Sequence, residues 1–200
     1  MATDELKRIL EALFFAAEAP LSLDRLSVLV ERPKADLRPV VMELIETFDQ
    51  AGYGFYLAEV AGGYQFRTRQ EYAPWVRKLS KERPFRFSAA ALETLSMVAY
   101  RQPVTRSEVE YLRGVDSGGV MKTLLEKGLI RILGKKDVPG RPLMYGTSRK
   151  FLEFFGLRDL NDLPTLKEFT ALEPGLEMEN WTEATDLLPA APEQSNELTE

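Results

Sequence analysis

The sequence predicts a mostly α-helical chain with small β-hairpins, an α+β fold in which one arrangement is used twice. Three observations carry this. Apolar residues recur at spacings of three and four over several long stretches, they alternate with polar ones over two pairs of shorter stretches, and the same order of segments returns in the second half of the 200 residues.

In chain order, Leu6, Ile9, Leu10, Leu13, Phe14 and Ala17 fall on one helical face, and the helix they mark ends near Glu18-Ala19-Pro20, where proline cannot continue it. Ser22 is placed to cap a short second helix carrying Leu23, Leu26 and Leu29 or Val30. After Pro33, the set Leu37, Val40, Val41, Leu44, Ile45 and Phe48 predicts a longer third helix stopped by Ala51-Gly52. The period then changes to two: residues 54–60, the turn Ala61-Gly62-Gly63 and residues 64–68 read as a hairpin. A short helix around Tyr72, Trp75, Val76 and Leu79 follows, then a charged stretch with Pro84 that suits a linker.

The pattern then begins again. Ser88 caps a helix containing Leu92, Leu95, Val98 and Ala99, which Gln102-Pro103 breaks. Thr105-Arg106-Ser107-Glu108 has the form of a capping box for a helix with Val109 and Leu112 inside. Asp116-Ser117 opens a third helix holding Val120, Leu124 and Leu125, and Gly128 ends it. Residues 129–133 and 143–147 form a second hairpin across 134–142. Phe15-Ala16-Ala17 and Ala19-Pro20-Leu21-Ser22 stand opposite Val98-Ala99-Tyr100 and Gln102-Pro103-Val104-Thr105 at a constant offset of 83 residues. Gly52 stands opposite Gly128 at an offset of 76, which shortens the second copy's third helix by about two turns. Residues 151–157 predict one more short helix with a glycine stop, and residues 160–166 a loop and short helix packing back.

Three helices and a hairpin is the order of a winged-helix unit, so the expected organisation is two such domains in tandem. These are an N-terminal winged-helix domain at 1–79, a linker at 80–87, a C-terminal winged-helix domain at 88–170 and an acidic disordered tail at 171–200. The tail holds eight acids and no base, and without it the chain has 26 bases against 23 acids, a mildly basic body. Trp181, Leu187 and Leu188 are among its large apolar residues and could form a short docking motif.

Composition narrows the function. The chain is 44% hydrophobic and 28% charged, ordinary for a soluble protein, and no apolar run approaches the roughly 18 to 20 residues that span a bilayer. Met1 to Lys7 has no signal-peptide character, and with no cysteine a reducing cytoplasm is expected. The chain also has no histidine, so the commonest general base, the thiol nucleophile and the softest metal ligands are all missing. An enzyme is not expected, nor a cofactor or bound metal. Residues 114–123 place glycines before Lys122 and Thr123, but Val120 and Met121 intervene and a helix precedes, so a phosphate-binding loop does not fit.

A winged-helix protein that reads DNA lays its third helix in the major groove, with Arg, Lys, Asn or Gln toward the bases. The first third helix offers Lys34 and Arg38 against Asp36, Glu43, Glu46 and Asp49, and the second offers Lys122 and Lys127 against Asp116 and Glu126. Neither suits a reader of sequence. The second wing is more basic: Arg131, Lys135 and Lys136, with Arg141, could touch phosphates without sequence preference. A DNA-binding transcriptional regulator is therefore the alternative reading. Phe14 and Phe15 are adjacent, so one helix cannot turn both rings to one stripe; they are candidates for a dimer interface.

The blocks Ala99-Tyr100-Arg101-Gln102-Pro103-Val104-Thr105-Arg106, Leu124-Leu125-Glu126-Lys127-Gly128-Leu129-Ile130 and Lys136-Asp137-Val138-Pro139-Gly140-Arg141-Pro142, followed by Tyr145-Gly146-Thr147, closely resemble the segregation and condensation protein B family, ScpB. The resemblance covers roughly residues 5 to 170 and leaves the tail outside. It implies a homodimer held mainly through the N-terminal domains, with the C-terminal domains gripping a central segment of the kleisin ScpA. The kleisin bridges an SMC ATPase, so the implied role is in chromosome condensation and partition, in the cytoplasm at the nucleoid, with DNA met indirectly. On this resemblance Tyr100, Arg101, Gln102, Pro103 and Arg106, with Arg141 and Tyr145 of the wing, are the candidate kleisin contacts.

Overall fold

The computed structural model describes residues 3–79 and 86–165. Most of the linker expected at 80–87, the last residues of the domain expected to end at 170, and the whole tail at 171–200 with Trp181, Leu187 and Leu188 lie outside the described residues. Among the described residues the chain forms eight α-helices and five short antiparallel strands, a mixed α/β architecture.

The first half runs α1 (Thr3–Ala16), α2 (Leu23–Val30), α3 (Lys34–Gln50), β1 (Phe55–Val60), β2 (Gly63–Thr68) and a short α4 (Ala73–Leu79). Local chemistry explains its boundaries. The Ser22 hydroxyl accepts from the Arg25 N–H, satisfying a donor that α2 leaves open at its start, while Glu31 closes it in the left-handed conformation. Pro39 lies inside α3 on its exposed side, so the packed face continues past the hydrogen bond that proline cannot make. The turn Ala61-Gly62 has positive φ at both residues, the geometry that matches the twist of a tight hairpin. Leu10, Phe14, Leu26, Leu37, Val41, Leu44 and Leu57 close one core, each burial contributing about 1.5 to 3 kcal/mol.

The second half runs α5 (Ala89–Arg101), β3 (Val104–Thr105), α6 (Arg106–Arg113), α7 (Gly118–Glu126), β4 (Ile130–Lys135), β5 (Leu143–Thr147) and α8 (Arg149–Phe155). Ser88 caps α5, Thr105 and Glu108 form a complete capping box on α6, and Ser148 caps α8, which Gly156 closes in the left-handed region. Leu95, Val98, Val109, Met121, Leu124, Ile130 and Phe151 make a separate core. With 9 residues against 17, α7 is the shorter counterpart of α3.

Two features differ from the reading of the sequence. The second sheet has three strands in the order β3-β5-β4, because Val104 and Thr105 pair with Tyr145 and Met144. Two residues are too few to show a period, so the sequence reveals them only as a helix cap. The first half has the same pairing as a single bridge, Leu21 with Tyr64. The second difference is the register of the repeat. Pro20, Leu21 and Ser22 do correspond to Pro103, Val104 and Thr105 at 83, but the helices before them do not. Leu6, Leu10 and Phe14 are buried on α1, as Ala91, Leu95 and Ala99 are on α5, an offset of 85. The turn is two residues longer in the first half: five steps from Ala16 to Leu21, three from Arg101 to Val104. The buried face sets helix phase, so the matching of Phe15 with Val98 is corrected: Phe15 is exposed and Val98 is in the core.

The described residues through Leu163 belong to one compact unit, within which the halves touch through hydrogen bonds. The Ala61 and Gly62 amides donate to the carbonyls of Leu157 and Arg158, Arg67 donates to the Glu153 carbonyl and Arg149 to the Pro20 carbonyl. No described helix is long and apolar enough to cross a membrane.

Candidate functional site: a groove on the second half

Helix α6 buries Val109 completely and turns the opposite side outward, with Tyr111 87% exposed and Leu112 half-exposed. That outward side, the end of α5 and strand β3 enclose an open groove of about 570 Å³ lined by Arg101, Pro103, Val104, Ser107, Glu108, Tyr111 and Leu112. Its floor is apolar and its rim charged, the composition that accepts a peptide side chain and orients the backbone around it.

Glu108 fixes the rim. Its carboxylate accepts from the Thr105 amide at 2.7 Å and the Thr105 hydroxyl at 2.9 Å, and from the Lys136 ammonium of the wing at 2.5 Å. The Lys136 hydrogen bond first, then the two from Thr105, hold this carboxyl down at about 2. One side chain thus caps the helix and ties the wing to it.

The residues expected to contact a partner divide into two groups. Arg101 and Pro103 are exposed at the groove, and Arg101 enters no ion pair among the described residues. Tyr100 is half-exposed on the last turn of α5. Gln102 instead points inward: its amide donates to the Ala99 carbonyl and the Thr147 hydroxyl, and its oxygen accepts from the Thr147 N–H at 2.8 Å, pinning the turn to β5. Arg106 is held between Glu110 at 2.6 Å and Asp116 at 2.7 Å, pairs that raise its pKa further. Tyr145 packs from β5 against the second core, and Arg141 stands in the wing turn with φ +41. Neither lines the groove.

The other candidates divide as well. Phe14 is 1% exposed, its ring edge-on to Tyr64 and Phe66, so it is core rather than dimer surface; Phe15 is 86% exposed. Of the basic wing residues, Lys136 is engaged by Glu108 and the Nε of Arg131 donates to the Thr147 carbonyl, whereas Lys135 is exposed. Sequence reasoning missed Val104, Ser107, Glu108, Tyr111 and Leu112 as groove residues. A signal existed for Tyr111: it lies two residues past Val109, off the stripe that α6 buries, where an aromatic ring has no reason to sit unless something covers it.

The family model described as segregation and condensation complex subunit ScpB matches residues 8–166. A segregation and condensation protein B of Syntrophotalea carbinolica is 61% identical over 172 residues, 86% of this chain and 87% of that one. One from Myxococcus xanthus is 45% identical over 172 residues, covering 86% of this chain but 52% of its own, so the chain spans about half of that relative. Among solved structures, ScpB from Mycobacterium tuberculosis is similar at 37% identity over 78% of this chain and 98% of that one, with a TM-score of 0.39.

Proposed function

The chain belongs to the ScpB family of segregation and condensation complex subunits, and from that premise we propose that it is a non-catalytic adaptor of two tandem winged-helix domains. It dimerises through the first domain, with Phe15 in the contact, and grips a segment of the kleisin ScpA in the groove of the second. The SMC ATPase is then reached through the kleisin, and DNA is met indirectly, at the nucleoid in the cytoplasm.

The observation that carries this reading is the groove itself. An aromatic ring and an arginine beside an apolar floor are the residue types on which binding energy concentrates, because they bury large area with few rotatable bonds and one oriented charge. Ordering a flexible segment costs free energy, and a few such anchors must offset it. Glu108 and Lys136 reduce the cost on this side by holding the rim in place before the partner arrives.

Co-purification with the kleisin segment followed by mass measurement tests the proposal. A complex containing two copies of this chain is expected, and Tyr111→Ala with Arg101→Ala weakens it by at least about tenfold, roughly 1.4 kcal/mol. A monomeric mass with no complex overturns it. The alternative, a DNA-binding regulator, is favoured by exposed Lys135 and Arg141. Sequence-specific DNA binding that persists near physiological salt would put it first.

A further inference from the structure

Residues 149–162 belong to the second half by their packing, since Phe151 lies in its core and Leu152 and Leu157 pack against it. Their polar groups reach the other way. The Arg149 guanidinium donates to the Pro20 carbonyl at 2.7 Å, and Arg67 donates to the Glu153 carbonyl at 2.6 Å. Beyond Gly156 the carbonyls of Leu157 and Arg158 accept from the Ala61 and Gly62 amides at 2.8 and 3.0 Å. Arg158 and Asp162 staple the receiving turn through backbone and side-chain hydrogen bonds.

We propose that residues 149–162 are a latch that sets the angle between the two halves, and that the latch opens without either core unfolding. Two observations argue for a reversible device. The hydrogen bonds between the halves, among the described residues, all end on backbone carbonyls, while each half closes an apolar core of its own, the character of parts that separate. Arg67 also carries an opposing cost: its Nε is buried with no partner, a desolvated donor that regains water when the latch opens. Docking therefore gains directional bonds and retains one unsatisfied group, so the closed form prevails while opening it costs less than unfolding either core. The angle so controlled is that between the face bearing Phe15 and the groove bearing Tyr111, whatever segment the groove takes.

The absence of cysteine makes the test clean. Spin labels at Met42→Cys on α3 and Lys122→Cys on α7, in full-length chain diluted into unlabelled protein, report the distance within one chain. The native latch gives one narrow distribution, and Arg67→Gln with Arg149→Gln broadens it at least about twofold. A distribution that stays narrow in the double variant, or is already broad in the native chain, overturns the latch. Amide exchange of the unaltered protein is an independent test. The Ala61 and Gly62 amides are expected to exchange together and faster than the β1–β2 strand amides; protection equal to the strands' overturns separate opening.

Discussion

In the first half Ser22 caps α2 alone, and the residue three places on is Arg25. In the second half Thr105 caps α6 from the equivalent position, and the residue three places on is Glu108, which returns the bond and reaches Lys136 in the wing. The backbone around these residues is the same. Leu26 and Val109 are both fully buried, Leu29 and Leu112 both half-exposed, and Glu31 and Gly114 both close their helices in the left-handed region. Tyr64 bridges Leu21 as Tyr145 pairs with Val104 of β3. The two halves thus agree at these buried positions and differ at the outward ones: Val28 in the first stands where Tyr111 stands in the second, and a groove lies beside the second.

The severest way to break this comparison is to empty one core. Leu124→Ala should cost about 2 to 5 kcal/mol. If the cores are as separate as their packing indicates, hydrogen-exchange protection will fall throughout α5 to α7 and persist in α1 to α3. Loss of protection in both would make the halves one cooperative unit.

Glycine substitutions sharpen it next. A Cβ on Gly63 meets the Leu21 backbone at 2.8 Å, whereas on Gly146 it meets the ends of Gln102 and Leu133 at 2.6 and 2.7 Å. Both alanine variants should lose about 1 to 3 kcal/mol in denaturant melts, Gly63→Ala more, because the backbone cannot swing aside. The reverse order would mean that the Gln102–Thr147 pin is stiffer than the Leu21 bridge.

A smaller effect separates the two caps by pH. Glu108 is held near 2 against an ordinary 4.5, so its carboxylate favours the folded state at every pH above 4.5, and that contribution is lost as pH falls toward and through 2. The equivalent place in α2 holds Arg25, which cannot return the capping bond as a carboxylate does. Between pH 5 and pH 3 amide exchange should accelerate in α6 relative to α2, beyond the intrinsic pH effect. Glu108→Gln should remove that difference at a cost of about 1 kcal/mol near neutrality. Equal acid sensitivity in both helices would refute the assignment.

Smallest in stability is Phe15→Ser, expected within about 0.5 kcal/mol of the native chain because the ring is already in solvent. Its readout is sedimentation: the dimer should weaken while the melt hardly moves. A dimer that persists unchanged would place the self-contact elsewhere on the chain.

Much of the fold was legible before any coordinates, for reasons visible in single residues. Leu37, Val40, Val41 and Leu44 announce α3 by their spacing, Ser88 and Thr105 announce helix starts by chemistry that acts over three residues, and Ala61-Gly62 announces a turn. The groove was only half legible. Arg101 and Pro103, which the family resemblance points to, line the groove, whereas Gln102, which it points to equally, turns inward to Thr147, 45 residues away in the sequence. Nothing in the sequence signals that Asp116, ten residues on, folds back to pair with Arg106.

By itself, then, the sequence determined which segments become helices and hairpins, that their order recurs in the second half, and that histidine and cysteine chemistry is closed to the chain. These follow from interactions spanning a few residues and from composition. Only the tertiary structure decided which of Phe14 and Phe15 is core, where the repeat slips by two residues, which cations are already paired, and how α6 and β3 enclose a groove. Each of those depends on what a side chain meets from a distant part of the chain, and packing settles that as a whole rather than residue by residue.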